Sequence, residues 1–220
     1  MAGSVCKSGL KRMAPRKILA IAALLLSACS QPKPANEGAS RDERAPDSYR
    51  VTFETSKGTF VLEVTRAWAP LGADRFYTLT KHGFFDGARF FRVIAGFVVQ
   101  FGIPADPALN KQWREAKIAD DPVGQTNRRG TVSFATSGPN TRTTQVFINL
   151  ANNARLDKSG FSPFGAVTSG MDIVDQFYSE YADGPPLGPG PSQTKIEAEG
   201  NPYLERDFPK LDYIKKATVQ

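Results

Sequence analysis

Between Tyr49 and Thr65 the chain reads "YRVTFETSKGTFVLEVT", with Val51, Phe53, Phe60, Leu62 and Val64 at every second position on either side of Ser56-Lys57-Gly58. Alternation at period two places these side chains on one face of an extended backbone, so the stretch predicts a β-hairpin. The period then changes. "PLGADRFYTLTKHGFF" carries Leu71, Phe76 and Leu79 at helical spacing, with Pro70 suited to a first turn and Gly83 to the end. "ARFFRVI", "FVVQFGI", "GTVSFAT", "QVFINLA" and "FSPFGAVTSG" predict further short strands, and "MDIVDQFYSEY" a second helix. After the loop "GPPLGPGPSQ", "TKIEAEG" and "NPYLERDF" predict short helices, the second with Asn201 as N-cap and Pro202 at the first helical position. "LDYIKKATV" predicts a closing strand. Many short strands with two main helices point to a mainly β fold, a closed antiparallel β-barrel capped by two α-helices, with a helical insertion before the last strand.

The first 48 residues do not share this patterning. Residues 1–28 combine Lys7, Lys11, Arg12, Arg16 and Lys17 with the apolar run Ile18 to Ala28 and contain no acid. The run is too short to span a bilayer comfortably and ends in small residues, as a secretion signal does. Its end, "LSAC", resembles the bacterial lipobox, in which the cysteine, here Cys29, is lipidated. A cleaved signal with an incidental cysteine is the alternative. Residues 29–48 are rich in Pro, Ser and charge and poor in bulky apolar side chains, so they read as a flexible tether. Residues 49–220 form the predicted folded domain.

This division changes the meaning of the charge. The formal net charge is +6, but outside residues 1–28 there remain 23 basic and 22 acidic residues. The basicity belongs to the leader and is no argument for nucleic-acid binding. The only cysteines are Cys6 and Cys29, so the predicted domain has no thiol for a disulfide, a nucleophile or a zinc site. The single histidine, His82, follows the first predicted helix and reads as a surface or capping residue. "GPPLGPGP" lacks the Lys-Ser/Thr of a phosphate loop. Asp120 and Asp121 fall in a predicted loop, where acid catalysis or calcium binding is a minor alternative to a structural role.

One strand pair breaks its own pattern. "FFRVIAGFVVQFG" is almost wholly apolar but contains Arg92 and Gln100. A charged side chain in a strand core is costly unless it is paired or faces a cleft. If the chain reverses at Ala95–Gly96, Arg92 lies opposite Gln100, and cross-strand neighbours on one face touch. The two would then form one polar patch, with the glutamine holding the guanidinium.

At these residues the sequence resembles the cyclophilins, a family of peptidyl-prolyl cis–trans isomerases. The resemblance runs from about Tyr49 to Asp175, more loosely at the final strand. It rests on "FFRVIAGFVVQFG", "GTVSFATSGPNTRTTQVFIN" and "LDKSGFSPFGAV". It implies an eight-stranded antiparallel barrel with two capping helices. It further implies that Arg92 is the catalytic arginine and Gln100 the residue that orients it. Phe97, Val98, Phe147 and Leu156 would form the proline pocket, Ala135 and Thr136 would bind the peptide backbone, and Gln145 would face the substrate. Phe161 falls where eukaryotic members carry a histidine, beside a one-residue insertion. Arg155 stands where many have a tryptophan used in cyclosporin binding, and Phe101–Gly102 replaces the family's Gly-Gly.

Such an enzyme needs no metal or other cofactor. Rotation about an X–Pro bond faces a barrier of roughly 20 kcal/mol because it breaks amide resonance. A donor aimed at the pyramidal nitrogen of the twisted amide binds that form better than the planar one. The expected partners are proline-containing unfolded or extended polypeptides, with no nucleic acid, and the expected state is a monomer held at the membrane by lipid. The expected location is the cell envelope. By resemblance to proteobacterial sorting, Ser30 after the cysteine implies the outer membrane facing the periplasm in a Gram-negative source. A non-catalytic proline-binding chaperone or docking module is the competing reading, and a peptide isomerisation assay separates the two.

Overall fold

The computed structural model describes residues 41–220. The predicted hairpin forms as β1 (Ser48–Thr55) and β2 (Thr59–Thr65), paired from Ser48↔Thr65 to Glu54↔Thr59. The alternating apolar residues face inward, where the rings of Phe53 and Phe60 stack at 4.7 Å between centroids. A short 3-10 turn (Arg66–Trp68) leads into α1 (Pro70–Lys81), which His82 caps at its C-terminal end. Then follow β3 (Arg92–Ile94), β4 (Val98–Phe101), α2 (Pro107–Trp113), β5 (Thr131–Phe134), β6 (Val146–Asn149) and β7 (Pro163–Ser169). The chain ends with α3 (Met171–Val174), α4 (Gln193–Glu199), α5 (Asn201–Asp207) and β8 (Ile214–Val219).

Eight strands form one antiparallel sheet in the order β3-β4-β6-β5-β7-β2-β1-β8. The predicted closed barrel is corrected to a curled, open sheet, because β3 and β8 are edges that never form a ladder. The chain just before β3 runs antiparallel beside the start of β8 for only a few residues. It makes one bridge, Arg89↔Tyr213, and a few backbone bonds such as Phe90 N to Asp212 O at 3.0 Å. The concave side holds a phenylalanine-rich core that includes Phe53, Phe60, Phe76, Phe85, Phe101 and Phe164.

Phe90 and Phe91 point into different cores. Phe90 belongs to the main one, while Phe91 joins Ile103, Ile196, Tyr203, Leu204 and Leu211 in a second, smaller core under α4 and α5. The C-terminal insertion is therefore packed independently against the sheet's rim.

Three other expectations change. The helix predicted over "MDIVDQFYSEY" stops at Val174. Phe177 leaves the helix to stack on Phe90 at 4.0 Å, and Tyr178 N donates to Asp212 Oδ2 at 2.8 Å, so tertiary contacts override local propensity. Asn201 is the first residue of α5 rather than its cap, because its carboxamide donates to Gly87 O at 3.1 Å and its N–H to Ala105 O. The folded unit also begins before residue 49. Asp42 pairs with Arg75, Glu43 N donates to Thr78 Oγ1, and Ala45, buried, donates to Asp74 Oδ1. The segment predicted as tether is thus fastened to α1 from about residue 42. The leader, Cys29 and the remaining tether lie outside the described residues.

Candidate active site

The β3–β4 hairpin places Arg92 opposite Gln100, with Val93↔Val99 and Ile94↔Val98 completing the register. Val93 and Val99 turn into the core, so the alternating positions Arg92 and Gln100 turn to the other face. Arg92 Nη1 donates to Gln100 Oε1 at 3.1 Å, and Gln100 Nε2 donates to Gln145 Oε1 at 2.8 Å. The departure at Phe101–Gly102 leaves this arrangement intact. Phe101 fills the main core, and Gly102 (φ +107°) lies so close to the neighbouring backbone that a Cβ would sit 2.4 Å from Thr144 O.

All ten predicted catalytic and substrate-binding residues line a single cleft of about 550 Å³, within the usual range for ligand sites. Arg92 and Gln100 occupy one part of it. Phe97, Val98, Phe147, Leu156 and Phe161 supply an apolar part, where the rings of Phe147 and Phe161 meet edge to face at 5.5 Å. Phe147 is buried but stands outside both hydrophobic cores, so its ring serves the cleft. Phe161 is held by its N–H to Leu156 O, at the end of the 3-10 segment Ala154–Ser159.

Ala135, Thr136 and Gln145 also line the cleft. Ala135 N donates to Gln145 O at 2.9 Å. The Thr136 hydroxyl bonds within its own turn, to Gly138 O and Thr141 Oγ1, which leaves its backbone as the part available to a peptide. Arg155 lies with its guanidinium carbon 4.9 Å from the centre of the Phe97 ring, as a cation–π cover. The backbone of Phe97 is fixed from below. Its carbonyl accepts from Leu150 N at 2.8 Å and from Asn153 Nδ2 at 3.0 Å, and Asn153 is tied in turn to Asn149.

The sequence reading missed one wall of this cleft. Asp183, Gly184, Pro185, Leu187 and Pro191 to Thr194 all line it. Asp183 forms a bidentate pair with Arg92, Oδ1 to Nε and Oδ2 to Nη2, each 2.9 Å. The guanidinium holds the Asp183 carboxyl below the usual carboxylate range. Nothing in the sequence pattern signals a partner 91 positions from Arg92; only the fold of the insertion brings it there.

The other candidates are structural. Asp121 accepts from the N–H groups of Leu71 and Gly72 at the start of α1 and pairs with Arg142 at 3.0 Å. Asp120 accepts from Asn140 N at 2.8 Å. His82 Nδ1 lies 2.8 Å from Thr78 O, at the helix end. Among the described residues no group of three His, Cys, Asp or Glu could hold a metal ion, and no helix is long and apolar enough to cross a membrane.

Residues 50–196 match the family model described as cyclophilin type peptidyl-prolyl cis-trans isomerase/CLD. The chain belongs to the cyclophilins. It is 31% identical over 173 residues to peptidyl-prolyl cis-trans isomerase B of Escherichia coli, covering 74% of this chain and 94% of that one. It is 36% identical over 132 residues to a peptidyl-prolyl cis-trans isomerase of Acinetobacter baylyi, covering 57% and 70%. A crystal structure of a cyclophilin type isomerase from Cryptosporidium parvum superposes with a TM-score of 0.58 at 21% identity, covering 79% of this chain and 98% of that one. A second structure of the Cryptosporidium protein, in the presence of the dipeptide Ala-Pro, gives 0.57 at 20% identity, covering 78% and 98%. This cyclophilin is therefore a peptidyl-prolyl cis–trans isomerase, and its fold is the family's.

Proposed function

We propose that this cyclophilin isomerises X–Pro bonds with Arg92 as the donor to the twisted amide, and that it does so on polypeptides folding outside the cytoplasm. The observation that carries the first part is that the Arg92–Gln100 pair shares one cleft with a group of apolar side chains. The cleft lined by Phe97, Val98, Phe147, Leu156 and Phe161 is suited to a proline ring. With the ring gripped, the flanking carbonyl is the part free to swing. As the amide twists, its nitrogen becomes pyramidal and gains a lone pair. A guanidinium N–H directed at that lone pair stabilises the twisted form more than the planar one. One such donor is typically worth about 2.7–4 kcal/mol, or about 100- to 1000-fold in rate.

The second part rests on the leader and on Cys29. Acylation of that cysteine would hold the enzyme at a membrane, since stable anchoring takes more than one acyl chain and no spanning helix. We read its location as the outer membrane facing the periplasm in a Gram-negative source, and its functional state as a monomer.

Isomerisation of a short proline peptide by the full-length chain tests the first part. Arg92→Ala should lower kcat/KM by at least about 100-fold with the fold intact, and near-normal activity in a folded variant removes Arg92 from the role. Fractionation with fatty-acid labelling tests the second part. Wild type should be labelled and membrane-bound, and Cys29→Ala neither. Unlabelled, soluble wild type would leave an ordinary cleaved signal.

A further inference from the structure

We propose that Asp183, supplied by the C-terminal insertion, is a positioning residue that sets the plane of the Arg92 guanidinium for isomerisation. The inference rests on Arg92 being the donor, and it adds a second holder to the one the hairpin provides. Gln100 alone contacts a single nitrogen, Nη1, and one contact leaves the long arginine side chain free to rotate about its other torsions. The Asp183 carboxylate grips the Nε–Nη2 edge with two parallel bonds of 2.9 Å, a geometry that fixes the guanidinium plane as well as its place. Three of the five guanidinium N–H groups are then engaged. One N–H on Nη1 and one on Nη2 remain for the substrate.

Asp183 is itself built in. Its carbonyl accepts from Gly190 N at 2.7 Å, and Oδ1 also accepts from Gly184 N at 2.9 Å. Leu187 N and Gly188 N both donate to Gly184 O, which closes the loop on itself. The crossing backbones leave no room for side chains. A Cβ at Gly184 would lie 2.4 Å from Pro191 O, and one at Gly188 would lie 2.4 Å from Asp183 O. Downstream, Ser192 N donates to Tyr203 Oη at 3.1 Å, and Tyr203 and Ile196 are buried in the second core. Asp183 is thus a short rigid step from a packed core. The depressed carboxyl pKa agrees with a carboxylate that stays ionised beside the arginine. With Asp183 paired to Arg92, the cleft that both residues line has a volume of about 550 Å³.

A double-mutant cycle in the full-length chain tests this, with Asp183→Asn, Arg92→Ala and the double variant assayed on one proline tetrapeptide. Asp183→Asn should lower kcat/KM at least about tenfold, since small misplacement of a catalytic group has large effects. Affinity for a proline peptide should stay within about threefold of wild type. The double variant should be no slower than Arg92→Ala. An Asp183→Asn rate equal to or above wild type overturns the proposal, the faster case marking Asp183 as a latch. An equal loss on the Arg92→Ala background also overturns it, because Asp183 would then act through something else. So does a loss confined to peptide affinity. If Arg92→Ala is itself fully active, the donor assignment fails first and this proposal falls with it. Should Asp183→Asn not fold, the wild-type chain still decides by NMR. The Arg92 Nε–H proton should be protected from solvent exchange, and rapid exchange would contradict the pairing.

Discussion

Gln100 is held in place by Gln145: its carboxamide nitrogen donates to Gln145 Oε1 at 2.8 Å, while its oxygen accepts from Arg92. A guanidinium has only donors, so Gln100 turns its oxygen to Arg92 and its nitrogen to the Gln145 oxygen. Two donors facing each other would repel. Arg92 on β3, Gln100 on β4 and Gln145 just before β6 are thereby joined in one chain of hydrogen bonds across neighbouring strands.

Gln100→Leu keeps the size of the side chain and removes both bonds. Arg92 loses its acceptor on Nη1. We expect kcat/KM to fall by about tenfold or more, with a smaller change in thermal stability, since a hydrogen bond to a charged group is worth about 1.5–3 kcal/mol and the guanidinium can still reach water. An unaltered rate constant for the variant on a proline peptide would show that this chain of amides orients nothing.

Phe147 lines the cleft and stands outside both hydrophobic cores, although it is only 5% exposed. Truncating a core phenylalanine costs about 3–5 kcal/mol. For Phe147→Ala we expect destabilisation below that range, because the space left opens to solvent, together with at least tenfold weaker binding of a proline peptide. Calorimetric titration beside urea unfolding separates the two quantities. A full core-sized loss of stability with unchanged affinity would return Phe147 to a packing role.

What could be read in advance divides along physical lines. The β1–β2 hairpin has a clear period of two and α1 a helical one, while strands such as β4, β5 and β6 are short, mostly apolar runs buried throughout. In the apolar run of β3 and β4 the charge of Arg92 and the amide of Gln100 are anomalous. Phe147, Leu156 and Phe161 carry no such anomaly; their placement came from the family resemblance. Helix α2 went unread because "PALNKQW" is short and has no apolar stripe, although Asp106 caps it by accepting from Ala108 N. The end of α3 depends on Phe177 finding Phe90, a contact across the fold. Asp183 was hidden for a similar reason. A loop of glycine and proline has no period, and its partner is fixed only when the second core forms. The open edge between β3 and β8 reflects how few residues pair there, around Arg89 and Tyr213, and hydrophobic alternation does not encode the length of a pairing.

Arg155 covers one face of the Phe97 ring with its guanidinium carbon 4.9 Å from the ring centre. A flexible, hydrated cation is a poor substitute for an indole that offers a flat surface and an N–H. If cyclosporin uses that position here as it does in eukaryotic relatives, losing the anchor costs on the order of 2 kcal/mol or more. Inhibition should be weak in the natural sequence and strengthen by about 30-fold or more in Arg155→Trp, while turnover of a short peptide changes little. Tight inhibition of the unsubstituted enzyme would refute the reasoning.

The N-terminal strap gives a stability prediction of a different kind. Arg75, 2% exposed, donates to Asp42 Oδ1 at 2.7 Å and to the carbonyl oxygens of Ala116 and Thr143, with its guanidinium carbon 5.2 Å from the Trp113 ring centre. This joins the strap, α1, the end of α2 and the segment that carries Thr143 into the cleft. Breaking a buried ion pair by removing one partner costs about 3–5 kcal/mol, because the remaining charge stays out of water. Two carbonyls still solvate Arg75 in Asp42→Ala, so the loss should fall toward the lower end. Asp42→Asn, which keeps an acceptor oxygen, should lose less. If the strap were part of a loose tether, as its composition suggests, both substitutions would leave urea unfolding unchanged. The two readings therefore predict different midpoints, and a truncation that begins at residue 49 should be less stable than one that begins at residue 41.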